Sequence, residues 1–268
     1  MADLIPIDDS NDPRVAAYRD IKERDLVGRQ GLFIAEGETV LRAFVRDAPE
    51  RVRSLLIDGK RADKLGEVFA GLPPGVPVYV VGQAVLDAIA GFHLHRGVLA
   101  VGEKPEPLSA DALLARTDRR ALVLVLMGIA NHDNLGGIFR NAAGFGVDGV
   151  ILDGDCCDPF YRKAIRVSIG ATLSVPTAWL APGEDVVALL ARHGFQGLAL
   201  SPAADEVLAR LEPPDRTAVL LGAEGPGLPQ AVMDRVRTVG IPMAGGFDSL
   251  NVATTSGIVL HHLRFAGL

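Results

Sequence analysis

Residues 241–257 read IPMAGGFDSLNVATTSG, a short apolar stretch, a glycine turn and then a run of small and hydroxylated residues. Pro242 has no amide hydrogen to donate, so a strand reaching Met243 ends there or runs along an edge. Gly245 and Gly246 permit positive φ and a close approach of backbone to a ligand. Asp248 or Ser249 is placed to cap a helix over the following residues, whose free N–H groups and dipole then face the turn. Ala253, Thr254, Thr255, Ser256 and Gly257 let that helix pack tightly against a neighbour. The stretch therefore reads as strand, ligand-facing turn and close-packed helix, the signature of an α/β domain.

Two further stretches extend this reading. Residues 131–146 are NHDNLGGIFRNAAGFG and residues 220–229 are LLGAEGPGLP. A dinucleotide cradle is not indicated: the first strand is followed by MGIANHDNLGG rather than GxGxxG, and residues 222–227 have the wrong spacing and contain a proline. In this order the three stretches resemble the SpoU/TrmH family of RNA ribose 2′-O-methyltransferases, from about Ala121 onward. The shared pattern is an Asn, a Gly and an Arg, then Gly-x-Glu-Gly-x-Gly, then Ile-Pro-Met followed by Ser-Leu-Asn.

The resemblance implies a C-terminal α/β domain with a parallel sheet and a deep trefoil knot, an exception to the unknotted rule. It also implies S-adenosyl-L-methionine (AdoMet) bound in the knotted loops and a homodimer formed through that domain. Carried over residue by residue, the catalytic set is Asn134, Arg140, Glu224, Ser249 and Asn251. The cofactor pocket is Gly222, Ala223, Ile241, Met243, Leu250 and Asn251. The guanidinium of Arg140 suits a phosphate or ribose contact. A general-base role is demanding for a guanidinium, which keeps its proton in proteins, so orienting the ribose and stabilising the developing alkoxide fit Arg140 better.

Composition sets the outer bounds. The chain has 268 residues, 49% of them hydrophobic and 22% charged, enough for two domains. Its polar, acidic opening is no signal peptide, and no apolar run is long enough to span a bilayer. The only cysteines, Cys156 and Cys157, are adjacent and offer neither a disulfide framework nor metal-ligand spacing. The expected setting is the cytoplasm, with no metal. Net charge is −6, with 14 basic against 16 acidic residues up to 105 and 13 against 17 beyond. An RNA-binding chain so composed must concentrate its cations locally. Candidates are Arg14, Arg19, Lys22, Arg24 and Arg29 near the N-terminus, then Arg162, Lys163 and Arg166. Of these, Arg29, Arg162 and Arg166 are taken as RNA contacts.

Taken in order, the front of the chain alternates helices and strands. A helix is expected from Asp12-Pro13 to about Asp25, and strands at 31–35, 52–57, 76–81 and 97–101, with helices between. GLFIAEGETVLRAFV and HRGVLAV resemble the ribosomal-protein-L30e-like domain at the front of many SpoU enzymes, which implies an RNA-gripping domain over residues 1–104. Residues 105–120 read as a linker with a short helix near 110–115, and 121–268 as the methyltransferase domain. There, strands are expected at 121–127, 149–152, 197–200, 218–221 and 239–243. Helices are expected at 135–145, 160–168, 185–193, 203–211 and 229–236, around a parallel sheet. The activity implied is methylation of RNA, ribosomal RNA ahead of tRNA. A non-catalytic RNA-binding protein on the same fold and a tRNA base methyltransferase are the alternatives.

Overall fold

The computed structural model of the chain describes residues 3–19, 31–201, 203–245 and 249–265. Lys22, Arg24, Arg29, Gly246 and Asp248, all singled out above, lie outside them. The chain forms two compact units, Met1–Glu106 with Asp158–Ser174, and Pro107–Cys157 with Val175–Leu268.

The first unit is built on strands β1 (Asp3–Pro6), β2 (Leu32–Glu36), β3 (Val52–Asp58), β4 (Pro77–Val81) and β5 (Val98–Glu103), in the order β1-β4-β3-β5-β2. β1 and β3 run parallel to β4, while β5 is antiparallel to both β3 and β2. Alternation along β2 and β3 sends Phe33, Ala35, Leu55 and Ile57 into one core and Ile34 and Leu56 into another. Side chains of a strand point alternately to its two faces, so this sheet is buried on both. Helix α1 (Glu38–Asp47) packs Val40, Leu41, Phe44 and Val45 on the first face. The helix expected between the strands at 52–57 and 76–81 is split into a 3-10 segment, Gly59–Lys64, and α2 (Gly66–Ala70), while α3 spans Gln83–Ala90. β1 lies within the polar opening, where alternation gives no strand signal. The expected N-terminal helix is a 3-10 segment, Pro13–Tyr18, over its described part. Asp12 caps it, and it carries Val15 and Tyr18 into the second core.

The second unit carries a seven-stranded sheet in which every pairing is parallel. Its strands are β6 (Leu108–Ser109), β7 (Ala121–Met127), β8 (Gly149–Leu152), β9 (Thr177–Trp179), β10 (Gln196–Leu200), β11 (Arg216–Gly222) and β12 (Arg237–Val239). The order is β12-β10-β11-β7-β8-β9-β6. Central strands β7 and β11 are apolar almost throughout because both of their faces are covered. From β7 the chain builds outward through β8 and β9, then returns to the other side with β10 and β11. The order therefore reverses between β7 and β11, and in open parallel sheets ligands bind outside the carboxyl ends of strands at such a point.

Helices α4 (Ala110–Leu114), α5 (His132–Gly144), α6 (Arg162–Val167), α7 (Val186–Arg192), α8 (Gln230–Met233) and α9 (Val252–Phe265) complete the elements. Several of them differ from expectation for physical reasons. β12 stops at Val239 rather than Met243, in keeping with Pro242. The 203–211 helix is replaced by a 3-10 turn, Leu208–Arg210, because backbone groups of Glu206 and Leu208 bond Gly240 at 2.8 Å each. α6 does not belong with the strands that flank it in sequence. Phe160, Ile165 and Leu173 join the core of the first unit with Phe33 and Phe44. Residues 158–174 are thus an excursion from the 121–268 stretch that sequence alone reads as continuous.

The 105–120 segment is also more than a tether. Ser109 caps α4, and Ala110, Leu113 and Leu114 are buried in the core of the second unit. Leu114→Ala in the full chain should therefore cost about 2–5 kcal/mol, the range for deleting a buried leucine side chain. Equilibrium denaturation measures this, and a loss under about 0.5 kcal/mol would return the segment to linker status.

Candidate active site

At the carboxyl ends of β10 and β11 lies a cavity of about 720 Å³. Three loops and one helix start close it. The first loop, Gly222–Gly227, turns back on itself, with the Gly227 amide donating to the Ala223 carbonyl at 3.0 Å. Gly222 has no alternative: a Cβ there would stand 2.3 Å from the backbone of Gly227 and Leu228. The loop's tight closure presents Glu224 at its tip. Ile241 and Met243 follow β12, while Ser249, Leu250 and Asn251 lead into α9, and all line the cavity. Leu250 remains 42% exposed.

Asn251, rather than Ser249, caps α9: its Oδ1 accepts from the amides of Ala253 at 2.9 Å and Thr254 at 3.2 Å. Its amide nitrogen is thereby turned outward. It donates to Asn134 Oδ1 at 2.8 Å and to Glu224 Oε1 at 3.3 Å. Asn134 Nδ2 also donates to Glu224 Oε1, at 2.5 Å. Three side chains from three distant segments therefore form one closed network. Asn134 can serve it because the cap of α5 is Asn131, whose Oδ1 takes the Asp133 and Asn134 amides. Asn134 itself is buried, and charge-assisted bonds to a carboxylate are the stronger kind.

A second lock holds α5 against α9. Asn141 Nδ2 donates to the Ala253 carbonyl at 2.7 Å and to Ser256 Oγ at 2.9 Å, and Gly137 faces Ala253 with no room for a Cβ. The small residues from 253 onward thus pack as expected, but against α5 of the same unit. Leu260 is fully buried in its own chain and offers no outer surface. Ile258 and Phe265 are the exposed apolar residues on α9.

Gly222, Ala223, Glu224, Ile241, Met243, Ser249, Leu250 and Asn251 thus come together around the cavity, with Asn134 tied in from behind. Arg140 is not in the lining. It stands exposed on α5, six residues and about 9 Å of helix beyond Asn134, with no hydrogen bond or ion pair among the described residues. Missed from sequence were Leu200, Ser201, Leu220, Leu228 and Thr255, which also line the cavity. Their signal is positional: it requires knowing that β10 neighbours β11. Cys156 is buried and its thiol pushed up to about 12 by desolvation, so it stays protonated at neutral pH and is no nucleophile. No His/Cys/Asp/Glu group suited to a metal occurs among the described residues.

Residues 121–261 match the SpoU rRNA Methylase family. The chain belongs to that family. SpoU membership is reinforced by relatives along the whole chain. An uncharacterised tRNA/rRNA methyltransferase of Mycobacterium tuberculosis is 40% identical over 99% of this chain and 93% of its own length. The 23S rRNA (guanosine-2′-O-)-methyltransferase RlmB of Salmonella typhimurium is 30% identical over 84% of this chain and 94% of its own. Among solved structures, the SpoU methyltransferase AviRb of Streptomyces viridochromogenes superposes with a TM-score of 0.76 at 26% identity, covering 96% of this chain and 99% of that one. AviRb has also been solved in complex with AdoMet. This chain is accordingly an AdoMet-dependent RNA methyltransferase of the SpoU family.

The cavity suits that cofactor. Its volume lies in the range of small-molecule sites, about 300–1,000 Å³. Leu220, Met243 and Leu250 give it an apolar part, beside the polar Glu224, Ser249 and Asn251.

Proposed function

We propose that the acceptor is a ribose 2′-hydroxyl of ribosomal RNA and that the Asn134–Glu224–Asn251 network holds the site where it meets the methyl donor. The observation that carries this reading is that network: three side chains from three motifs, closed by hydrogen bonds of 2.5 to 3.3 Å, beside a cavity of cofactor size.

AdoMet, when bound, supplies an electrophilic methyl group on a sulfonium. The rest falls to the chain. Gly222, Ala223, Ile241, Met243 and Leu250 bind and enclose the donor, which keeps water from the electrophile. Asn251 and Ser249 stand at the edge where donor and ribose meet. Glu224 fixes both asparagines, so their amides are aimed before substrate arrives; such preorganisation is where positioning catalysis gains its rate. Methyl transfer to the 2′-oxygen would break the carbon–sulfur bond, leave the donor as a neutral thioether and pass the hydroxyl proton to solvent. Arg140, exposed and without a partner among the described residues, is assigned to the ribose or its phosphate and to charge developing on the attacking oxygen.

The same reading carries with it the trefoil knot, a homodimer through the second unit and a cytoplasmic location. No helix among the described residues is long and apolar enough to cross a membrane. An L30e-like role for residues 1–104 in gripping RNA is likewise proposed. Arg14 and Arg19 are less available for it than their sequence suggests, since Arg14 pairs with Asp12 and Arg19 donates to the Asp12 carbonyl.

Mapping 2′-O-methyl sites in total RNA from cells with and without this chain should show one ribosomal ribose that loses its methyl group. Unchanged ribose methylation with a lost base methyl would instead select the base-methylating alternative, and no change at all the non-catalytic one.

A further inference from the structure

Within the first unit, one face gathers arginines from separate segments around a single exposed aromatic ring. Arg162 and Arg166, one turn apart on α6, both point to Glu36 at the end of β2, with Nη1 to Oε2 distances of 3.5 and 3.7 Å. Glu36 is 5% exposed, and its Oε2 accepts no hydrogen bond. One carboxylate thus positions two guanidiniums. Arg162 lies 5.0 Å from the ring centroid of Phe92, which is 44% exposed.

Two further arginines are seated by glycines. A Cβ on Gly37, at φ 98°, would stand 3.0 Å from Arg96 Cδ. One on Gly97, at φ 59°, would stand 2.7 Å from Arg61 Nε. Arg61 also donates to the His95 carbonyl at 3.1 Å, and the His93 and His95 rings meet edge to face with centroids 4.3 Å apart. The carboxylates nearby are committed: Glu36 as above, Asp58 to the Lys60 amide, and Asp87 to His93, Gln83 and the Leu94 amide. Among the described residues Arg61, Arg96, Arg162 and Arg166 thus gather with three carboxylates on a chain of net charge −6.

An exposed phenylalanine by itself is ordinary. One backed by a guanidinium that a buried carboxylate holds in place, and flanked by further arginines, is the combination that binds unpaired nucleotides. Bases stack on aromatic rings or arginine planes while cations track the backbone. A duplex, its bases already stacked, has no use for the ring.

We propose that this face binds a single-stranded stretch of the RNA substrate, with one unpaired base stacked on the open side of Phe92 and adjoining phosphates on Arg61, Arg96 and Arg166. The proposal rests on the reading of the chain as an RNA methyltransferase and adds where, and in what form, the RNA is held outside the active site.

The test uses the full chain and a fluorescein-labelled, mixed-sequence 12-nucleotide RNA, single-stranded or annealed to its complement, followed by anisotropy at several salt concentrations. Single strands should bind more tightly than duplex. Phe92→Ala, at an exposed position that leaves the core intact, should weaken single-strand binding about 5- to 150-fold, the span for one stacked base. Its salt dependence should stay that of the parent. Phe92→Tyr should bind as the parent does. Arg96→Gln should instead flatten the salt dependence by about 0.7 in log–log slope, one phosphate contact. Parent-like binding by Phe92→Ala, tighter binding of duplex, or equal competition by polyglutamate, which would mark an acidic protein partner, would each overturn the proposal. AdoMet titration and methyl transfer to ribosomal RNA, run on the same proteins, separate this outcome from the wider one. If the parent transfers methyl groups and Phe92→Ala does so with unchanged KM, the stacking seat fails alone. If the parent transfers none, the enzymatic reading fails, whatever Phe92 does.

Discussion

Arg140→Ala is expected to lower single-turnover methyl transfer by about 10²–10³-fold while leaving AdoMet affinity within about twofold. The rate loss follows from the proposed role, since removing one donor to charge that develops in the transition state costs about 3–4 kcal/mol. Unchanged cofactor binding follows from geometry, since Arg140 is absent from the cavity lining. The side chain is exposed and forms no hydrogen bond or ion pair among the described residues, so its loss should leave the fold intact. Arg140→Lys should recover only part of the rate, because an ammonium cannot reproduce the flat two-pronged donor. Near-parent turnover in Arg140→Ala would reduce Arg140 to a surface charge.

Glu224→Ala is expected to damage both binding and catalysis. Glu224 Oε1 takes hydrogen bonds from Asn134 and Asn251, and its removal leaves the amide of the buried Asn134 without its acceptor, while Asn251 keeps only its bond to Asn134 Oδ1. Bonds to a charged acceptor contribute about 1.5–3 kcal/mol each. A fall of about 10²-fold in kcat/KM is therefore expected, shared between weaker AdoMet binding and slower transfer. Glu224→Gln should fall less, since its amide oxygen still accepts and only the charge is lost. Calorimetric titration with AdoMet and steady-state methylation measure the two parts. If Glu224→Ala and Glu224→Gln behaved alike, and both like the parent, the network would have no part in forming the site.

Much of the site was legible in the sequence because its residues sit in short motifs whose backbone needs are local. Gly222 is required by a loop that closes on itself, while the cap expected at Asp248 or Ser249 falls on Asn251, which only the family motif singles out. What could not be read is what long-range pairing decides. That Leu200 and Ser201 line the cavity depends on β10 lying beside β11. The excursion of residues 158–174 into the first unit is a packing outcome: Phe160, Ile165 and Leu173 are apolar at helical spacing, and nothing local says which core receives them. Asn134 reads equally well as a cap or as a functional group until Asn131 is seen in the capping role. Arg162 and Arg166 read as RNA contacts one turn apart, and nothing local shows that Glu36, more than a hundred residues earlier, lies beside both.

The most direct test of the central claim is to incubate the purified chain with methyl-labelled AdoMet and ribosomal RNA from cells that lack it, then hydrolyse the product in alkali. A 2′-O-methyl group removes the neighbouring hydroxyl that alkali needs, so the account predicts that the label survives in an uncleaved dinucleotide carrying one 2′-O-methyl ribose. Label recovered on the base of a mononucleotide, or no label on RNA from a protein that binds AdoMet, would contradict it.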